Sequence, residues 1–250
     1  MLLVAATQSA ELMVMITLGI ETSGLDGSIA IARGDECIAE RPLNQSGRRH
    51  AQGLVLEIRD ALRSVGLTPR DVECVAVSRG PGSFTGLRVG MVCAKTFAYA
   101  TGCRFIAVDT FAAIASNAPA DLDRLFVIED AQRDELFVGE YVRDEFAAWR
   151  QTSPIRIVPI PEFCRERTEV DTVTGPGIRK LESHAVSPNW LSTPEVCRPR
   201  ASVIAALGCA CGNSSEGETD FWIASPFYLR LSAAEEKRAT LDAGLDKNKL

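Results

Sequence analysis

The sequence predicts an α/β protein of layered sheets and helices, for three reasons. Apolar runs over 16–42 are joined by a Gly/Ser/Asp-rich turn, the pattern of a hairpin with a third short strand. Apolar residues then recur at helical spacing over 50–65. Continuous apolar runs, typical of buried strands, alternate with further helices up to about residue 118. The first half therefore has the order β-β-β-α-β-α-β-α, a hairpin-led sheet followed by crossover helices.

Local signals place each element of this first half. "MITLGIETSG" and "GSIAIARGDECIAERPL" predict two strands joined by a turn that carries Glu21, Thr22 and Ser23, and "ECIAERP" predicts a third short strand. The helix over 50–65 ends at Gly66, since glycine suits the C-cap position. "VECVAVS" predicts a buried strand, and a helix over 86–101 follows it and ends at Gly102. "RFIAVDT" predicts another strand, and "FAAIASNA" begins another helix.

The second half contains similar elements in a shorter and less regular form. "RLFVIEDAQRDELFVGEYV" predicts a hairpin that turns through residues 130–134. "DTVTGPGI" predicts a strand and a glycine turn, "PRASVIAALGCACG" a helix, and "PFYLRL" a strand or an extended segment. We interpret this half as a shortened copy of the first. We predict four divisions. Residues 1–14 are a disordered extension or precede the true start codon, 15–112 form a partner-binding N-terminal lobe, 113–232 form a smaller C-terminal lobe, and 233–250 form a polar tail.

Composition and charge narrow the function classes. Hydrophobic residues make up 46% and charged residues 24%, as in ordinary globular proteins. The net charge of −6 argues against a chain that binds nucleic acid unaided. Eight cysteines without a C-x-x-C pair indicate buried thiols in a reducing cytoplasm. The apolar N-terminus lacks the basic start of a secretory signal and is too short to span a bilayer, so we expect a cytoplasmic protein without membrane contact.

The most distinctive segment is "SRGPGSFTGLRVG" at 78–90. It is not a phosphate-binding P-loop, because the glycine spacing is wrong and no lysine follows. It misses the dinucleotide fingerprint G-x-G-x-x-G by one residue, and Ser83 does not occupy the nucleophile position of G-x-S-x-G. We therefore predict a tight turn that leads from a buried strand into a helix.

That helix carries a stripe of small residues. Gly86, Gly90, Ala94 and Ala98 recur every fourth position, so they line one face almost without side chains. Another layer can approach such a face unusually closely. Two explanations stay open at this point, which are packing within the domain and packing against a second protein.

Several motifs closely resemble the bacterial TsaB (YeaZ) family. They are "LGIETS", "GSIAI", His50, "VSRGPGSFTGLRVG" and "FIAVDTF", followed in the same order by "DAQRDELF", "GPGI" and "PFYLR". The resemblance covers about 16–237 and is strongest over 73–110. It implies an actin/sugar-kinase/Hsp70-like (ASKHA) fold of two lobes, the second reduced. One departure is Asp134, where the family often has glycine, although Asp tolerates left-handed backbone better than most residues.

The resemblance also implies a subunit that is not itself the catalyst. Family members pair with TsaD, a paralogue with an H-x-x-x-H metal site, and the ATPase TsaE joins them. The complex transfers a threonylcarbamoyl group from threonylcarbamoyl-adenylate to the tRNA adenosine next to the anticodon, so the chain would meet tRNA indirectly. His50 and His184 are the only histidines and lie far apart, so the metal motif is absent. We expect no catalytic residue, no metal and no cofactor.

Two groups of candidate site residues follow. In the first hairpin turn, Glu21, Thr22 and Ser23 are candidates for a vestigial nucleotide site. The alternative for Glu21 is a purely structural role as an acidic residue of the turn, which we call the turn-acid role. The free chain is expected to form a homodimer through its partner-binding helices. The predicted partner interface consists of His50, Leu54, Gly82, Ser83, Phe84, Thr85, Gly86, Arg88, Gly90, Ala94 and Ala98.

Two enzyme classes stay open as alternatives. A peptidase of the glycoprotease-like group would use Ser83 or Thr85 as its nucleophile, although no base or orienting group is evident. An ASKHA small-molecule kinase would hold ATP with Glu21 and the glycine turns. The second half is short for a lobe that has to close on a nucleotide.

Overall fold

The computed structural model describes residues 14–43, 50–181, 190–212 and 220–230. Its first sheet has five strands. They are β1 (Ile16–Glu21), β2 (Ser28–Arg33), β3 (Glu36–Pro42), β4 (Cys74–Ser78) and β5 (Arg104–Val108). Their order across the sheet is β3-β2-β1-β4-β5. β1 is antiparallel to β2 and parallel to β4, which is parallel to β5. The predicted hairpin followed by crossover strands is therefore present.

Helices cover both faces of this sheet. On one face, α1 (His50–Ser64) and α2 (Phe84–Thr101) pack against Val75 and Val77 of β4. The residues between them, Cys74 and Ala76, point to the opposite face, because side chains alternate along a strand. Burial on both faces explains why β4 is a continuous apolar run.

The second sheet contains six strands. These are β6 (Arg124–Gln132), β7 (Glu135–Arg143), β8 (Trp149–Gln151), β9 (Arg156–Pro159), β10 (Val173–Thr174) and β11 (Trp190–Leu191). The order is β11-β10-β6-β7-β8, and β9 also pairs with β7. β6 is antiparallel to β7 and parallel to β10, which is parallel to β11. This order repeats that of the first sheet with shorter outer strands, as a shortened copy requires.

Four further helices complete the described fold. They are α3 (Thr110–Ala115), α4 (Ile160–Glu166), α5 (Pro194–Cys197) and α6 (Ala201–Gly212). α6 lies on the first sheet, against β1 and β4. Gly208 allows this close approach, since a Cβ there would collide with the side chain of Ala76. Because it packs on the first sheet, α6 belongs to the first lobe, and its predicted place in a second lobe over 113–232 was wrong. The lobe boundary near residue 112 stays a prediction.

The connections agree with most of the local predictions. Gly102 ends α2 with φ +75°, and Asp134 adopts a left-handed φ of +58° in the β6–β7 turn. The "PFYLR" segment does not form a strand, and its Phe227 N–H donates to the Arg79 carbonyl at 2.7 Å. The extension before residue 14 and the tail after 230 lie outside the described residues. Within the described ranges, no helix is both long and apolar enough to cross a bilayer.

Candidate functional site

The carboxyl ends of β1, β4 and β6 open into a cavity between the two sheets. Its volume is about 760 Å³. Its walls are the turn at 23–26, the loop at 81–84 before α2, the β6 end at 129–133, the 3₁₀ turn Pro176–Leu181 and the segment 227–230. Ligands of open α/β sheets bind beyond the carboxyl ends of the strands. This cleft is therefore the first place to look for a small ligand.

Glu21, the last residue of β1, is fully buried next to the turn that lines the cleft. Its Oε1 accepts hydrogen bonds from the backbone N–H and the hydroxyl of Ser23, each at 2.5 Å. Among the residues that the structure describes, its Oε2 has no hydrogen-bond partner. Burial raises the pKa of this carboxyl, and the hydrogen bonds from Ser23 offset part of that rise. Because Glu21 already occupies the donors of its own turn, the arrangement favours the turn-acid role.

A second carboxyl, that of Glu129, is half-buried and lines the cavity. Burial raises the pKa of Glu129 to about 7, and the charges of Asp130 and Glu21 add to the rise. A hydrogen bond from the Asp130 N–H, 2.8 Å long, and the charge of Arg179 oppose it. One partly desolvated acid, Glu129, therefore lines the cleft, and the fully buried Glu21 lies close enough for its charge to affect it.

The loop at 78–90 makes the predicted tight turn from β4 into α2. A Cβ on Gly82, which has φ +155°, would approach the Ser23 carbonyl oxygen to 2.7 Å. The Ser83 N–H donates to that carbonyl at 2.7 Å, and the Ser83 hydroxyl accepts from the Gly86 N–H at 3.3 Å. Ser83 is thus the N-cap of α2, and the loop lies directly on the turn after β1.

The small-residue stripe packs inside the chain's own first lobe. Gly86, Gly90, Ala94 and Ala98 are all buried. A Cβ on Gly86 would collide with the carbonyl oxygen of Thr22, and one on Gly90 with the Thr22 hydroxyl. That hydroxyl donates to the Gly86 carbonyl at 2.8 Å. The placement of these four residues at a partner interface was therefore wrong, because the turn after β1 covers Gly86 and Gly90, and Ala94 and Ala98 are buried in the first lobe's core.

Leu54 needs the same correction. It is buried in the core beneath α1 and offers no surface to a partner. Ser83, Thr85 and Arg88 are exposed, and Gly82 and Phe84 are half-buried, so these positions stay predictions. His50 begins α1, but its side chain lies outside the described set.

The exposed side of α2 carries a different row of residues, which we call the outer face. It consists of Arg88, Val92, Thr96 and Tyr99, all exposed and spaced by three or four. On α1, Val55 and Leu56 are exposed as well. Sequence reasoning missed this face because the small-residue stripe on the same helix was the stronger signal.

Arg88 also belongs to a stacked cluster at the mouth of the cleft. Its guanidinium carbon lies 4.0 Å from the centre of the Phe84 ring, and its Nε–H donates to the Tyr228 hydroxyl at 3.0 Å. The Phe84 and Tyr228 rings are 4.5 Å apart. Arg88 and Tyr228 are 140 positions apart in the chain, so no local pattern predicts the contact.

No group of three or more His, Cys, Asp and Glu side chains in the described ranges is arranged to hold a metal ion. His184 lies outside those ranges.

Two sheets that share one strand order, with a cleft at their carboxyl ends, define an α/β protein of the ASKHA-like class. The YeaZ structure from Pseudomonas aeruginosa has the same fold, with a TM-score of 0.71 at 24% identity, over 86% of this chain and 100% of that one. The model of the family TsaD, tRNA N6-adenosine threonylcarbamoyltransferase, matches residues 39–166.

Two curated relatives place the chain more closely. The Escherichia coli (strain K12) tRNA threonylcarbamoyladenosine biosynthesis protein TsaB is 32% identical over 203 residues, which cover 76% of this chain and 84% of that protein. The TsaB protein of Bacillus subtilis (strain 168) is 27% identical over 230 residues, covering 89% and 97%. The chain belongs to the TsaB (YeaZ) family.

Proposed function

We propose that this chain is a non-catalytic partner subunit in the synthesis of threonylcarbamoyladenosine on tRNA. Its TsaB relatives carry the name of that biosynthesis, and membership of the family brings the same process to this chain. The finer proposal is that it stabilises and activates a TsaD-type paralogue. That paralogue transfers the threonylcarbamoyl group from its adenylate to tRNA, and a TsaE-type ATPase joins the complex.

The outer face of α2 is the observation that carries this proposal. Val92 is 63% exposed and Tyr99 is 70% exposed, on a helix whose other side is fully buried. Val55 of the adjacent α1 is 69% exposed. Neighbouring apolar side chains that stay in contact with water mark protein interaction surfaces.

The nature of the partner is supported by the extent of the TsaD family match. The matched residues, 39–166, include all of α1 and α2. A TsaD-type paralogue therefore contains counterparts of both helices. Two related surfaces of this kind can pack about an approximate two-fold axis, as the two halves of a symmetric dimer do.

The two enzyme alternatives find less support in the cleft. Ser83, the candidate peptidase nucleophile, uses its hydroxyl oxygen to cap α2. Glu21, the acid of the kinase alternative, accepts hydrogen bonds from the backbone N–H and the hydroxyl of Ser23 within its own turn. Both arrangements favour a structural use of these residues.

Co-purification with the TsaD-type paralogue of the same organism tests the proposal. We expect the wild-type chain to form the complex and Val92→Asp to lose at least about tenfold in affinity, because a charge would be buried at the interface. Val170→Asp is the matched control. Val170 is 84% exposed and follows α4 in the second lobe, so this variant should pair normally.

Three results would contradict the proposal. A wild-type chain that does not pair would refute the partner role. Normal pairing by Val92→Asp would refute the outer face as the interface. Transfer of the threonylcarbamoyl group by the isolated chain would show that it is catalytic.

A further inference from the structure

We propose that the mouth of the cleft binds the RNA substrate, with phosphates at its basic rim and an unpaired base on the cluster of Phe84, Arg88 and Tyr228. The inference rests on the proposed function, which brings the chain to tRNA. It adds the surface that RNA contacts.

The first argument is the charge of the cleft lining. Among the described residues, five basic and three acidic side chains line the cavity, in a chain whose net charge is −6. Lys180 pairs with Asp130, Arg198 with Asp26 and Arg230 with Glu135. The excess positive charge of the lining therefore rests on Arg133 and Arg179, and such charge attracts phosphate. The basic residues are Arg133, Arg179, Lys180, Arg198 and Arg230, and the acidic residues are Asp26, Glu129 and Asp130.

The second argument is where these charges lie. Arg133, Arg179 and Lys180 are exposed at the rim, whereas Glu129 of the lining is half-buried and Glu21 is buried behind it. A free nucleotide that entered the cleft would bring its phosphates towards Glu129, whose pKa the nearby Glu21 charge already helps to raise. An RNA strand passes over the mouth and presents its phosphates to the rim alone. The charge distribution therefore favours RNA over a free nucleotide.

The third argument is the stacked cluster on the first-lobe side of the mouth. Phe84 and Tyr228 both line the cavity, and Tyr228 remains 37% exposed. Aromatic rings and guanidinium planes are the surfaces on which proteins stack unpaired bases of single-stranded RNA. A basic rim next to such a platform suits a loop of RNA with an unpaired base.

The position of this cluster also fits the proposed complex. Arg88 is the first residue of the outer face of α2, which continues through Val92 to Tyr99. An RNA held at the cleft mouth therefore lies beside a paralogue bound on that face. The RNA would lie at the junction of the two subunits, where a catalytic partner can reach it.

The test uses the complex of the chain with its TsaD-type paralogue and a transcribed tRNA substrate. Arg133→Glu/Arg179→Glu should pair normally but bind tRNA about tenfold more weakly at low salt. The slope of log affinity against log salt should become shallower by about one to two. Arg70→Glu/Arg165→Glu makes the same charge change at exposed positions outside the cleft lining, so it should keep wild-type affinity.

A second variant tests the stacking surface. Tyr228→Leu keeps an apolar contact with Phe84 but removes the ring, and about tenfold weaker tRNA binding is expected. Wild-type tRNA affinity in the rim variant, with pairing intact, would overturn the inference and leave the proposed function standing. Unchanged tRNA affinity in the rim variant, together with a loss of its ATP binding measured by calorimetry, would also overturn the inference. A wild-type chain that fails to pair would instead refute the proposed function, and this inference with it.

Discussion

Glu21 and Glu129 show how burial sets the charge of single residues in this cleft. Glu21 is held by hydrogen bonds from Ser23, and Glu129 by one from the next residue's N–H. Neither carboxylate has an ion pair with a basic side chain among the described contacts, and burial raises the pKa of both. Such acids are stabilising when protonated and costly when ionised.

This cost predicts a pH dependence of stability, and Glu129→Gln should remove the part of it that Glu129 contributes. The folded chain binds the Glu129 proton more tightly than the unfolded chain, where the pKa is near 4.5. The free energy of unfolding therefore falls as the pH rises from about 4.5 to about 7. Glu129→Gln should raise it by on the order of 1–2 kcal/mol at pH 8 and by little at pH 5, as measured by urea unfolding.

The control for this prediction is Glu162→Gln, which changes an exposed glutamate on α4. It should leave the pH dependence unchanged. An equal effect of Glu129→Gln at both pH values would show that ionisation of Glu129 does not limit stability.

Helix α2 joins a buried side and an exposed side in one element. Glycines on its inner side allow the turn after β1 to approach the helix backbone, while the outer face remains in contact with water. This division gives the helix two separate uses, which are stability on one side and binding on the other. A substitution at an inner glycine therefore tests folding rather than pairing.

The two helices predict opposite effects of the same substitution. Gly86→Ala in α2 should destabilise the chain by about 2–4 kcal/mol, because its Cβ would collide with the backbone of Thr22. Gly53→Ala in α1 meets no atom within 4 Å and should stabilise by about 0.5–1 kcal/mol, since alanine favours the helix. Thermal unfolding measures both, and similar effects in the two helices would contradict this account.

The two lobes are joined by more than the connection between their sheets. Arg198 forms an ion pair with Asp26 at 2.6 Å, and Arg230 pairs with Glu135 of β7. Tyr228 stacks on Phe84 at the start of α2, while Phe227 and Leu229 pack on the second lobe's core. The segment 227–230 therefore links both lobes at the mouth of the cleft.

The exposed helices also predict the state of the free chain. Without its paralogue, the chain should form a homodimer at micromolar concentration through α1 and the outer face of α2, because these apolar side chains would otherwise stay in water. Light scattering should give twice the monomer mass, and Val92→Asp should give the monomer. A wild-type monomer under these conditions would contradict the prediction.

Local sequence patterns are sufficient for the order of the elements and for most of their ends. Apolar periodicity predicts the strands of the first sheet and helix α1, because a strand repeats every two residues and a helix every 3.6. Gly102 marks the end of α2 from chemistry that acts within one turn. The motif "GPGSFTGLR" likewise carries the family assignment without any knowledge of the fold.

Contacts between distant parts of the chain determine the surfaces. A stripe of Gly86, Gly90, Ala94 and Ala98 suits a partner helix and the chain's own core equally well, and the tertiary structure places Gly86 and Gly90 on Thr22 and the two alanines in the core. The return of α6 to the first sheet and the stacking of Arg88 with Tyr228 have no local signal. Such choices depend on which layers approach each other in three dimensions, and that follows from packing the whole chain around its cores.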